Sequence, residues 1–114
     1  MGGLFIYQIQ ISNKSQKPNV KKKVIYLQAR QHAAETHGSH IMQSVLRDLV
    51  TNHSSKYAKL LDNYVVRILP MINVDGVTIG NSRCSLAGVD LNRRWAQPNS
   101  IVHPEIYFLK QLMG

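Results

Sequence analysis

The chain has 114 residues, with 14 Lys and Arg against 6 Asp and Glu for a net charge of +8, 44% hydrophobic residues and one cysteine. That length leaves room for one domain and excludes a second, and a chain of this size buries roughly two thirds of the surface it exposes when unfolded. The charge favours an acidic partner, whether nucleic acid, an anionic membrane surface or a glutamate-rich peptide, without choosing among them.

The single cysteine, Cys84, excludes a disulfide framework within the chain and suits a reducing compartment. The N-terminal apolar run Leu4-Phe5-Ile6-Tyr7 has no basic residue before it and is too short for an export signal. No stretch approaches the ~20 apolar residues of a membrane helix. Residue 6 is Ile6, not the Ser or Thr expected after an N-myristoylated glycine. A soluble, cytosolic protein without a membrane partner is expected.

Residues 4–12 alternate Tyr7, Ile9 and Ile11 against Gln8, Gln10 and Ser12, which predicts a half-buried strand. Residues 13–23 have turn chemistry and five lysines, and Val24 to Ala29 reads as a second strand, so the two strands should form a hairpin with a basic loop. No aromatic residues interleave Lys21, Lys22 and Lys23 to stack bases, so a solvated loop is expected there and no nucleic-acid partner. From Thr36 to about Asn52, Ile41, Met42, Val45, Leu46, Leu49 and Val50 recur at helical spacing. A polar stretch follows, then Tyr64 to Leu69 forms a β-branched run suited to a strand buried on both faces, ended by Pro70. Asp75-Gly76 is a turn signal. Pro104 opens a last short helix that runs to Met113.

Two constellations could carry chemistry. His32 and Glu35 lie three apart where a strand gives way to a helix, so both can point at one metal ion; zinc accepts imidazole nitrogen and carboxylate oxygen at about 2.0–2.2 Å. A lone H-x-x-E is a weak signal among five histidines. His37 and His40 share a helix face and read more simply as exposed histidines. His53 would lie roughly 25 Å along that helix, and His103 reads as a helix-entry residue. The second constellation, Asn81 to Trp95, holds three arginines and two asparagines in a glycine-containing loop. Guanidinium groups bind carboxylates through paired hydrogen bonds, which makes an anion site plausible there; solvated surface arginines are the alternative. Cys84 has no histidine partner placed by the sequence and reads as a small, buried residue.

The order A-R-x-H-x-x-E-T, then P-M-x-N-x-D-G-V, then G-N-x-R-C-S-L-A-G-x-D-L-N-R-x-W, then H-P-x-I-Y, resembles the cytosolic carboxypeptidases, zinc metallocarboxypeptidases related to the pancreatic digestive enzymes. The likeness runs from Phe5 to Leu112. It implies an α/β fold, a mixed β-sheet with helices on both faces, of which residues 1–114 would form the N-terminal part of the catalytic domain, a single incomplete domain. It also implies Zn2+ as cofactor, with His32 and Glu35 as its first two ligands. Asp90 matches the aspartate that hydrogen-bonds the zinc histidine. Arg83 resembles the catalytic arginine that polarises the scissile carbonyl, and Asn92 and Arg93 the pair that grips the substrate's terminal carboxylate, a grip to which Arg83 also contributes. The implied reaction is hydrolysis of the last peptide bond, usually between glutamates, from acidic protein tails such as tubulin, in the cytosol and near microtubules.

Departures are also expected to matter. Ala33-Ala34 stands where the family usually has Pro-Gly, and Val74 where it has Pro. The third zinc histidine and the general-base glutamate lie beyond H-P-x-I-Y in relatives, and the usual N-terminal β-sandwich is not among these residues. The 114 residues alone are therefore expected to hydrolyse nothing. The alternative function is a non-catalytic module that binds acidic C-terminal tails through Arg83, Asn92 and Arg93.

Overall fold

The structure, a computed structural model, describes residues 2–14 and 21–114. Strands β1 (Ile9–Ile11), β2 (Lys23–Gln28) and β3 (Tyr64–Leu69) form one mixed sheet in the order β1-β3-β2. Helices α1 (Thr36–Thr51) and α2 (Ala58–Asn63) connect β2 to β3. After β3 come the short helix α3 (Val74–Thr78), a 3-10 turn (Leu91–Arg93) and helix α4 (Pro104–Met113).

The expected hairpin is a correction. The two strands do run in opposite directions, but β3 lies between them, antiparallel to β1 and parallel to β2. The reason is the sequence of β3 itself: Val66, Ile68 and Leu69 are buried, and only a central position covers both of its faces and both of its edges. The first strand is also shorter than expected, since Leu4, Phe5 and Tyr7 precede it and are exposed. Most of the anticipated basic loop, residues 15–20, lies outside the described residues. Lys21 and Lys23 are exposed as anticipated, but Lys22 is not simply solvated. Its ammonium donates to Ser12 Oγ at 2.9 Å and to the carbonyls of Asn13 and Leu61.

Strand alternation divides the core into two layers. In register, Ile9, Ile68 and Leu27 form one row and Ile11, Val66 and Ile25 the next. Val66, Ile68, Leu27, Ile9 and Ile11 pack with Met42, Leu49, Val45 and Leu46 of α1 and with Leu61 of α2. On the other face Leu69 and Tyr26 join Ile72, Leu91, Trp95 and Ile106 and Leu109 of α4. Tyr26 also donates its hydroxyl to the Leu112 carbonyl at 2.7 Å and accepts from Arg67 Nη1 at 2.7 Å. Helices on both faces of a mixed sheet are the expected architecture.

Helix α2 falls in the stretch that reads as merely polar. It is fixed by Leu61, which is fully buried, and by a knot at Asp48, whose carboxylate accepts from the Tyr57 hydroxyl, from Lys56 Nζ at 2.9 Å and from Asn52 Nδ2 at 2.6 Å. Those bonds, that from Tyr57 foremost, hold the Asp48 carboxyl at about 2.

Candidate active site

The site forms beyond the carboxyl ends of the parallel strands β2 and β3, where open α/β sheets usually place ligands. Pairing continues past both strands: Ala29 N–H donates to Leu69 O, Ile72 N–H to Ala29 O and Asn73 N–H to Arg30 O, each at 3.0 Å. The first chain then turns sharply at Arg30, which has a φ of 55°. A left-handed conformation costs a residue with a side chain roughly 1–2 kcal/mol. The Arg30 guanidinium offsets this by closing the loop on itself, donating from Nε and Nη2 to the Ala33 carbonyl and from Nη1 to Ser39 Oγ at 3.0 Å. The clamped loop presents His32 and Glu35.

His32 is buried and held between two carboxylates. Its Nε2 lies 3.0 Å from Asp90 Oδ1, and its Nδ1 lies 2.9 Å from Glu35 Oε1. Asp90 also accepts from Arg83 Nε at 2.8 Å and from Asn92 N–H at 2.9 Å. Partial desolvation pushes the Asp90 carboxyl up, but the hydrogen bonds from Arg83, His32 and the Asn92 backbone outweigh it and hold it at about 2. Ionised Asp90 accepts a hydrogen bond from the imidazole in the tautomer protonated at Nε2. That leaves the Nδ1 lone pair facing the half-exposed carboxylate of Glu35, two electron-pair donors that only a proton or a cation between them can reconcile. An imidazole nitrogen and a carboxylate oxygen so aimed are what zinc accepts. Beyond Asp90, which sits on the far nitrogen of the imidazole, no third histidine, cysteine or acid is arranged with them to hold a metal ion among the described residues.

The second constellation wraps over the first. Ala34 N–H donates to Ser82 O at 2.9 Å, and Asp90 caps the 3-10 turn that carries Asn92 and Arg93. Arg83, Asn92 and Arg93 are exposed on the same loop system. His32, Glu35, Asp90 and Arg83 thus form one chain of direct contacts. Asn92 joins it through its backbone, and Arg93 follows on the same turn. His37, His40 and His53 are exposed and outside the site, and His103 stands at the N-cap position of α4, as the sequence suggests, with its Nδ1 accepting from Asn99 N–H at 3.0 Å and not from the helix. Cys84 is half-buried.

The profile of the zinc carboxypeptidase family matches residues 1–107. The chain belongs to the zinc carboxypeptidase family. It is 46% identical over 92 residues to cytosolic carboxypeptidase 6 of Caenorhabditis elegans, covering 81% of this chain and 20% of that protein. It is 47% identical over 89 residues to cytosolic carboxypeptidase 1 of Mus musculus, covering 78% of this chain and 7% of that protein. Among solved structures, a putative carboxypeptidase A from Shewanella denitrificans superposes with a TM-score of 0.83 at 30% identity over 95% of this chain and 28% of that one. A Pseudomonas aeruginosa metallo-carboxypeptidase, solved with (2-guanidinoethylmercapto)succinic acid, gives a TM-score of 0.82 at 28% identity, again over 95% and 28%. This zinc carboxypeptidase chain therefore spans a fifth or less of these two curated relatives.

Within the family frame, the Ala33-Ala34 departure is harmless to the backbone. Arg30 is the sole positive-φ residue other than glycine among the described residues, so Ala34 needs no glycine-like angle. Val74 simply opens α3. Three residues of the site escape the sequence reading: Arg30, Gln31 and Asn73. With its side-chain oxygen turned toward them, Gln31 accepts from Trp95 Nε1 at 3.1 Å and shares the Asn92 N–H with Asp90. The fully buried Asn73 caps α3 by accepting from Gly76 N–H at 3.0 Å. The signal for Asn73 was present, since asparagine is a preferred helix cap.

Proposed function

We propose that this chain supplies the first two metal ligands and the carboxylate grip of a zinc-dependent metallocarboxypeptidase acting on acidic, glutamate-rich protein C-termini, tubulin tails among them, in the cytosol. The observation that carries this is the His32 imidazole, oriented by Asp90 so that Nδ1 faces Glu35. Zinc, when bound, supplies Lewis acidity and lowers the pKa of its water. His32 and Glu35 hold it, and Asp90 keeps the imidazole in the binding tautomer. Arg83 polarises the scissile carbonyl, a role supported by its exposure and its tether to Asp90. Asn92 and Arg93 take the terminal carboxylate, guanidinium and amide donating in parallel. The net charge of +8 draws acidic tails toward them.

Among the described residues His32 and Glu35 are the two ligand side chains, and Asp90, the one further carboxylate in contact with them, is committed to His32 Nε2 and Arg83; with none left to accept the proton of a water, the 114-residue chain by itself is expected to be inactive. A peptide ending in glutamates tests the reading. It should bind, Arg93→Ala should weaken it at least tenfold, and the chain alone should release no glutamate; chelator-sensitive release would overturn the inactivity. A non-catalytic binder of acidic tails is the second reading, favoured by an anion-binding loop more complete than the metal site. Peptide binding that is unchanged by chelator would support it.

A further inference from the structure

We infer that Asn73 is a positioning residue that sets the spacing between the metal-binding loop and the anion-binding loop; the inference rests on the function proposed above. Asn73 is fully buried, and its side-chain NH2 faces three backbone carbonyls from two different segments. Gln31 O, beside His32, lies at 3.3 Å; Cys84 O lies at 3.0 Å and Arg83 O at 3.4 Å. An amide has two N–H bonds, so one serves the first loop and the other is shared between the adjacent carbonyls of the second. The Oδ1 atom is meanwhile fixed by the Gly76 N–H. Gly76 is the residue that permits this approach, since a Cβ there would stand 2.5 Å from both Asn73 Oδ1 and Cys84 O. His32 and Arg83 belong to segments about fifty residues apart in sequence, and both meet at Asp90. One amide at their base therefore controls whether Asp90 reaches the imidazole and the guanidinium together.

The two roles of Asn73 separate in a substitution. Asn73→Ser keeps a cap for the Gly76 N–H, because serine caps helices about as well as asparagine, but its hydroxyl cannot span both loops. Val66→Ala, in the core layer away from the site, serves as the destabilised reference. Zinc affinity is read by competition with a chromophoric chelator, well below each protein's melting temperature. Asn73→Ser should bind zinc at least tenfold more weakly than wild type, as loss of support behind a metal ligand commonly does, whereas Val66→Ala should retain wild-type affinity. Equal zinc affinity in Asn73→Ser and wild type overturns the role of Asn73 alone. An equal loss in Val66→Ala overturns it too, by showing general loosening. A wild-type chain that binds no zinc overturns the metal reading, and this inference with it. If Asn73→Ser does not fold, Asn73→Asp carries the same expectation, since it keeps the cap but turns a carboxylate toward the three carbonyls.

Discussion

Arg83, Asp90, His32 and Glu35 make a single line of polar contacts: Arg83 Nε and His32 Nε2 donate to Asp90, and His32 Nδ1 faces Glu35 Oε1. Glu105 shows the opposite use of a carboxyl group. Acids in a first helical turn normally face water, where the helix dipole favours their charge. Glu105 occupies that turn of α4 yet is only 5% exposed. Burial pushes its carboxyl up against the pull of its own backbone N–H, and the Asp75 carboxylate adds to the rise. With the folded value above the unfolded one, Glu105 stabilises the fold fully below its ordinary value of 4.5, and that contribution is lost as pH rises through the raised folded value. Glu105→Gln should therefore flatten the decline of melting temperature with rising pH, measured by circular dichroism; an unchanged profile would count against the buried acid. His32, Glu35 and Asp90 were legible only through the family resemblance that the motifs around them carry, and the structure brings their side chains together. The turn at Arg30 and the reach of the Asn73 amide across the loops were not, because a backbone angle and a contact across loops leave no periodic mark.

At the scale of elements, the sheet is held by cross-strand rows, and Ile68 is fully buried in the row of Ile9 and Leu27. Ile68→Ala should cost about 2–5 kcal/mol in urea unfolding, the usual range for a large aliphatic side chain removed from a core. A loss below about 1 kcal/mol would mean that this layer is loosely packed. Helix α1, β3 and α4 were legible to within a residue or so, because α1 carries a helical period of apolar residues, β3 is a nearly continuous β-branched run ended by Pro70 and α4 starts on Pro104. The pairing of β1 was not. Two strands separated by a turn-rich segment suggest a hairpin, and only the greater burial demand of β3 places it between them. Helix α2 was illegible for a related reason: its six residues are too few to show a period, and it is fixed by Asp48 and Tyr57 from outside and by the burial of its own Leu61.

The molecule as a whole carries the architecture of its family on a three-stranded sheet, over 28% of the length of the solved relatives. Among the described residues the outer edge of β2 has no strand beside it, and Phe5, Ile101 and Phe108 are exposed. Unpaired edges and exposed apolar groups promote association. The chain should accordingly self-associate in sedimentation velocity as concentration rises, and a sharp monomer with a cooperative melt would contradict this. We propose that His32 and Glu35 together form the metal-binding half of a carboxypeptidase site. Equilibrium zinc titration of the purified chain tests it most directly. One weak site per chain, abolished by His32→Ala and by Glu35→Ala, is the result predicted; zinc binding that survives both substitutions, or no saturable binding by the wild type, would contradict it.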